Sequence, residues 1–210
     1  MFSGIIQAVV PVHQIYKETT HFIKYTIKFP PHLLIKLTIG SSISNNGCCL
    51  TVVSINQNLV SFHIIHETLK LTNMNKLKIG DLINIEKSIR YNSRIGGHLM
   101  NGHVDCTGEI KKVINFKKNK IIWIKINNNY FQKYIIQQGS IGIDGVSLTI
   151  NKILNNYIRI CLIPHTTNNT TLGIKKTGNI VNIEIDFITK IITNTTEKIL
   201  YNANYTLIRK

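Results

Sequence analysis

Two stretches of this chain, GSSISNNGCCLTV at residues 40–52 and QGSIGIDGVSLTI at residues 138–150, say nearly the same thing. Laid over each other so that Gly47 meets Gly145, they match at Ser42/Ser140, Ile43/Ile141, Leu50/Leu148 and Thr51/Thr149, always 98 positions apart. Extended without a gap, residues 42–86 against 140–184 give 15 identities in 45 positions. A composition this rich in Ile, Asn and Lys gives about one in ten by chance. Further matches include Ile65/Ile163, Thr68/Thr166, Thr72/Thr170 and KIGDLINIE (78–86) against KTGNIVNIE (176–184), where Asn84–Glu86 and Asn182–Glu184 hold register. The first 41 positions keep only Gly4/Gly102 and Ile23/Ile121. A period near 100 residues is too long for a solenoid unit and suits two copies of a complete small domain.

Within each copy the local signal is strand. INIEK and VNIEID alternate apolar and polar residues, as do IIWIKIN and YIRICLI, and Gly or Asn clusters punctuate them. Short alternating strands separated by turns predict an all-β barrel or sandwich in each half. From Ile188 onward, Ile191, Ile192, Ile199 and Ala203 fall at helical spacing, with Glu197 and Lys198 free to face water. That apolar stripe needs a partner, either the barrels themselves or another subunit.

The 210 residues carry a net charge of +15. A basic surface can release counterions from phosphate, but only Arg90, Arg94, Arg159 and Arg209 supply the guanidinium suited to bidentate phosphate recognition. The lysines are spread through a biased composition, and the densest run, KKVINFKKNK (Lys111–Lys120), reads as a hairpin loop between strands. An RNA-binding barrel would interleave aromatic residues with its basic ones, and no such platform stands out. Cys48, Cys49, Cys106 and Cys161 lack zinc-ligand spacing, so a reduced, cytoplasmic protein is expected. No charged leader precedes Lys17 and no uncharged apolar run reaches 18 residues, so neither secretion nor membrane spanning is expected. The Asn-x-Thr triplets at Asn168, Asn169 and Asn194 follow from the same bias.

Five strings in order, MFSGII, NGCCLTV, IGGHLMNGHVDCTGEI, GSIGIDGVSLTI and IPHTTNNTTLG, resemble the riboflavin synthase family of the alpha-chain, lumazine-binding type. The resemblance spans essentially the whole chain. It implies two six-stranded Greek-key barrels, at 1–97 and 98–187, followed by a helix at 188–210 through which a homotrimer forms. It implies dismutation of two 6,7-dimethyl-8-ribityllumazine molecules into riboflavin and 5-amino-6-ribitylaminouracil, with no metal or cofactor. A reaction between two identical substrates explains a duplicated pocket. A carrier that binds lumazine without turnover is the nearest alternative.

The same resemblance marks His103 and His98 for proton transfer, as histidine can accept and donate near neutral pH. Cys49 and its repeat partner Ser147 are expected to assist addition at C7 of the acceptor lumazine. Phe2 is expected to close the first site, a role its counterpart Met100 cannot share. The first pocket is expected to draw on Gly4, Ile5 and Ile6, on Cys48 and Leu50, and on His63, Ile64, Ile65, His66, Glu67 and Thr68. The second is expected to draw on Gly102 and Val104, on Val146 and Leu148, and on Cys161, Leu162, Ile163, Pro164, His165 and Thr166. Ser42, Thr51, Thr149 and Asp144 are supporting candidates. Glu67 and its counterpart His165 give the two pockets different chemistry. Cys106, where Gly is common, is expected to point outward, and Gln138 stands where Lys often precedes the second GSI-type stretch.

Overall fold

In the segment Lys120–Ile126 every second side chain is buried, and the residues between are half-exposed. That period of two puts one face of the strand on a core, and twelve strands in all wrap two cores. The computed structural model describes residues 1–19 and 22–208; Arg209 and the side chain of Ala203 lie outside the described residues.

The first barrel comprises β1 (Ala8–Thr19), β2 (Phe22–Lys28), β3 (Ser42–Asn45), β4 (Cys48–Asn56), β5 (Leu59–Ile65) and β6 (Leu82–Lys87). Its strands close in the order β1-β2-β5-β4-β3-β6. The meander β3–β4–β5 with β6 returning beside β3 is a Greek key. The second barrel repeats that order with β7 (Cys106–Asn115), β8 (Lys120–Ile126), β9 (Ser140–Ile143), β10 (Val146–Leu154), β11 (Tyr157–Leu162) and β12 (Ile180–Ile185). Short helices α1 (Pro31–Leu34), α2 (His66–Leu71) and α3 (Pro164–Asn169) cross between strands, and α4 (Phe187–Ile208) follows the second barrel.

Each barrel has its own core. Val12, Tyr25, Ile27, Phe62, Ile83 and Ile85 fill the first; Ile110, Ile122, Ile124, Ile160 and Ile183 fill the second. Cys106 does not point outward. It is 6% exposed within the second core, where burial pushes its thiol up to about 12, and a small apolar side chain there serves packing.

The Lys111–Lys120 run is not a loop. Lys111–Asn115 finish β7, Lys120 opens β8, and only residues 116–119 turn between them. Lys120 is on the buried face of β8 because its ammonium reaches the carbonyls of Leu172, Gly173 and Lys175 at 2.7–2.9 Å. Desolvation lowers its pKa. Lys120→Met keeps the stem and strips three carbonyls of their donor, so it is expected to cost about 2–3 kcal/mol. A urea midpoint shifted with unchanged slope would show it; an unshifted midpoint would rule the clamp out.

Helix α4 is joined to the second barrel by polar contacts: Lys190 with Asp105 at 2.8 Å, Tyr134 with Asn194 at 2.6 Å and Lys133 with Glu197 at 2.5 Å. Glu197 is therefore paired rather than free, while Ile188, Ile191, Ile192 and Ile199 stay exposed. No described helix is long and apolar enough to cross a membrane.

Candidate active site

The barrels meet along a seam built from the outward faces of β6 and β12. Alternation sends Ile83 and Ile85 into their own core and turns Asn84 and Glu86 toward the other barrel. Asn84 Nδ2 donates to Asp144 O at 2.8 Å, and its Oδ1 accepts from Thr171 N at 2.8 Å. Asn182, 98 residues on, donates to Asn46 O at 2.8 Å and accepts from Asn73 N at 2.7 Å. The seam has an internal two-fold relation broken by chemistry: Asp144 stands where the first copy has Asn46, and Lys175 lies 3.1 Å from its carboxylate.

The short segment ahead of each barrel crosses this seam. Phe2 and Met100, repeat partners, bond to each other in both directions at 2.8 and 3.0 Å. Beyond that bridge, Ser147 N donates to Gly4 O at 2.9 Å, and Cys49 N donates to Gly102 O at 2.8 Å. Ile6 packs on the second core and Val104 on the first. The expected grouping is thus exchanged: Gly4 and Ile6 lie with the second barrel, and Gly102, His103 and Val104 with the first, while Ile5 is exposed beside Glu86, Lys87 and Gly96. Glycine permits the close approach at each crossing. Both glycines have positive φ, +75° and +77°, and a Cβ on Gly4 would lie 2.5 Å from Ser147 Cβ, while one on Gly102 would lie 2.7 Å from Cys49 Cβ.

A cavity of about 210 Å³ opens at the first crossing, lined by Cys49, Glu67, Thr68, Gly102, His103 and Val104, among others. Strand alternation separates the adjacent cysteines. Cys49 reaches this wall half-buried, while Cys48 turns inward, its Sγ 3.6 Å from Asn182 Nδ2 and its pKa driven up by burial. His103 is exposed at the lip. Leu50 and Ile64 point into the barrel core, and His66 starts α2 beside Glu67, which pairs with Lys70 at 3.4 Å. His63 lies against Phe22 with ring centroids 4.6 Å apart.

At the second crossing, His98 Nδ1 and Ser147 Oγ stand 2.7 Å apart, and burial lowers the His98 pKa, favouring the neutral ring that can accept the hydroxyl proton. Gly97 permits this approach, since a Cβ there would meet Ser3 O at 2.3 Å and Ser147 Cβ at 2.5 Å. Val146 and Leu162 are core residues; Cys161 is half-buried; Ile163, Pro164 and His165 are exposed where β11 passes into α3, with Thr166 one step further. Thr51 pairs with Ser42, and Thr149 with Ser140, across strand registers. Asp144 is fully buried in the seam, and Gln138 is exposed in a turn at φ +67°. Phe2 is buried on the seam at 1% exposure, with Cε2 2.8 Å from a Cβ placed on Gly102.

The repeat tripeptide Asn-Ile-Glu carries a feature that the sequence reading passed over. Glu86 and Glu184 hold the backbone of the crossing segments, and the signal was their matched position. Burial raises both carboxyls, that of Glu184 to about 7, against the lowering effect of the Asn101 and Gly102 amides. Among the described residues, no group of three or more His, Cys, Asp or Glu side chains could hold a metal ion.

Two like closed barrels in tandem make this a duplicated β-barrel protein, and the Lumazine binding domain family matches residues 3–88 and 101–186. Riboflavin synthase of Buchnera aphidicola subsp. Schizaphis graminum is 45% identical over 209 residues, covering all of both chains. That of Escherichia coli is 43% identical over 200 residues, 95% of this chain and 93% of its own. A solved structure of LumP complexed with 6,7-dimethyl-8-(1'-D-ribityl) lumazine superposes with a TM-score of 0.80 at 28% identity, covering 88% of this chain and 98% of that one. The chain belongs to the riboflavin synthase family, and it is an enzyme of that family.

Proposed function

We propose that the chain converts two molecules of 6,7-dimethyl-8-ribityllumazine into riboflavin and 5-amino-6-ribitylaminouracil by four-carbon transfer, using one lumazine in each kind of pocket. The observation that carries this reading is the chemical difference at matched places, a thiol at Cys49 and a hydroxyl 2.7 Å from a neutral-leaning imidazole at Ser147. Equivalent pockets bind the same ligand, and different side chains let one ligand become donor and the other acceptor. The donor loses a proton from its C7 methyl group, whose anion delocalises into the ring. His103 at the lip of the first pocket is the group that takes that proton. The Ser147 hydroxyl, with His98 as base, adds at C7 of the acceptor. Holding two rings in contact supplies much of the rate, up to about 7–11 kcal/mol in well-oriented reactions.

Completion of the site requires a second subunit in this reading. The exposed stripe Ile188, Ile191, Ile192 and Ile199 on α4 supports a homotrimer in which a first-barrel pocket meets a neighbour's second-barrel pocket. Residues 1–97 and 98–187 are the two lumazine-binding units, and α4, described as far as Ile208, is the trimerisation helix. The unpaired cysteines fit a cytoplasmic setting.

The test is incubation of the purified protein with the lumazine alone. One riboflavin per two lumazines consumed, from a particle of three chains by light scattering, is expected. Binding without product would reduce the protein to a carrier, and full activity in a monomer would remove the shared site.

A further inference from the structure

Asn-Ile-Glu stands at 84–86 and again at 182–184, and the reaction outlined above uses neither glutamate. Both are buried, at 2% and 4% exposure. A carboxylate out of water is costly unless hydrogen bonds satisfy it. Glu86 Oε1 accepts from Ser3 N at 2.7 Å and Ser3 Oγ at 2.8 Å, and its Oε2 accepts from Gly4 N at 3.0 Å. Glu184 accepts from Asn101 N at 2.6 Å and from Gly102 N at 3.1–3.2 Å. Each carboxylate thus grips the two residues at one crossing. In its ionised form, which Glu184 reaches above about pH 7, each carboxylate bonds main-chain amides about twice as strongly as a neutral group does, so these grips fix backbone rather than a flexible side chain.

The held glycines pass that geometry on. Gly4 O receives the amide of Ser147 in the second barrel, and Gly102 O receives the amide of Cys49 in the first. Two chains of contact therefore run across the seam, Glu86 to Gly4 to Ser147, and Glu184 to Gly102 to Cys49. His103 follows the residue that Glu184 grips.

We propose that Glu86 and Glu184 are crosswise positioning residues: each sits on one barrel and sets the geometry of the lumazine site on the other. The proposal rests on reading the Cys49 and Ser147 surroundings as the two lumazine sites.

The experiment uses the full-length chain as Glu86→Gln and Glu184→Gln, which keep side-chain volume and remove the charge and one acceptor. In ligand-free protein, amide NMR shifts outside the mutated strand are expected to move most at Ser147 for Glu86→Gln and at Cys49 for Glu184→Gln. Titration with 6,7-dimethyl-8-ribityllumazine, followed at Thr68 for the first site and Thr166 for the second, is then expected to weaken about tenfold at the opposite barrel's site only. Should a Gln variant fail to fold, Ser3→Ala removes one of the three bonds to Glu86 and is expected to weaken the second site about threefold. Weakening confined to the mutated barrel's own site, or to neither, overturns the proposal. Crossed amide shifts with no lumazine bound at either site in the wild type would keep the crosswise hold and remove the lumazine reading.

Discussion

Gly4→Ala is expected to lower the rate of riboflavin formation about 100-fold while both barrels stay folded. The added Cβ has nowhere to go, with Ser147 Cβ at 2.5 Å, Ser147 N at 2.7 Å and Met100 Sδ at 2.8 Å. Methionine can yield; the Ser147 backbone cannot without moving β10. The left-handed φ of +75° adds roughly 1–2 kcal/mol for a residue with a Cβ. The cheapest relief is for the crossing segment to lift away, breaking the Ser147 N to Gly4 O bond. A displacement of about 1 Å in a positioning element can cost about 10²-fold in rate. Gly80→Ala is the control, because Gly80 has φ +90° but nothing within 4 Å of its absent Cβ. It carries the backbone cost without the collision, so its turnover should stay within about twofold of the parent. Steady-state rates with thermal melts of the three proteins decide the matter, and equal losses in both variants would mean that backbone strain, not the crossing, is responsible.

Asn182→Ala should destabilise the chain by about 4 kcal/mol, a loss that the seam residues of this kind share. The substitution leaves Asn73 N without its acceptor and Asn46 O without its donor, and both parents are buried. Each stranded group costs about 1–3 kcal/mol. For a chain of this size the melting temperature should fall on the order of 10 °C. Asn182→Asp should be no better. Asn182 N donates to Asp144 Oδ1 at 2.7 Å, so a second carboxylate would sit beside the first while the Nδ2 donor is lost. Asn84→Ala should cost a similar amount, and the double variant less than the sum, because both residues serve one network. Calorimetry on the parent and the four variants checks this; a loss under about 1 kcal/mol for Asn182→Ala would mean the seam relaxes around the gap.

The barrels were legible because strand alternation and turn glycines are local signals. Ile83 and Ile85, or Ile122 and Ile124, could only share a face. The 98-residue repeat then made the second barrel a copy of the first. The exchange of leading segments was not legible. Gly4 and Gly102 are alike, so each satisfies either crossing equally well on paper, and only three-dimensional reach decides between pairing within and across copies. Lys120 misled for a related reason: a lysine in a basic run reads as solvated until three carbonyls are found around its ammonium. The site candidates lie in more than one place. Cys49, Glu67, Thr68 and His103 gather at one cavity, and His98 joins Ser147, but Asp144 belongs to the seam. Glu86 and Glu184 escaped notice because a glutamate in an alternating strand reads as a solvent-facing residue.

The crossing of the leading segments also has a meaning in time. A ribosome releases this chain from its amino end, and the strands of the first barrel, through Lys87, emerge before any of the second. That barrel can close on its own core, yet the wall supplied by Gly102 and His103 emerges only after its last strand. Residues 2–6, synthesised first of all, must in turn wait for β10 before they have anything to rest on. The first pocket therefore gains its last wall only when residues 102–104 emerge, and the second only after β10, so a chain cut short before those points has neither pocket finished.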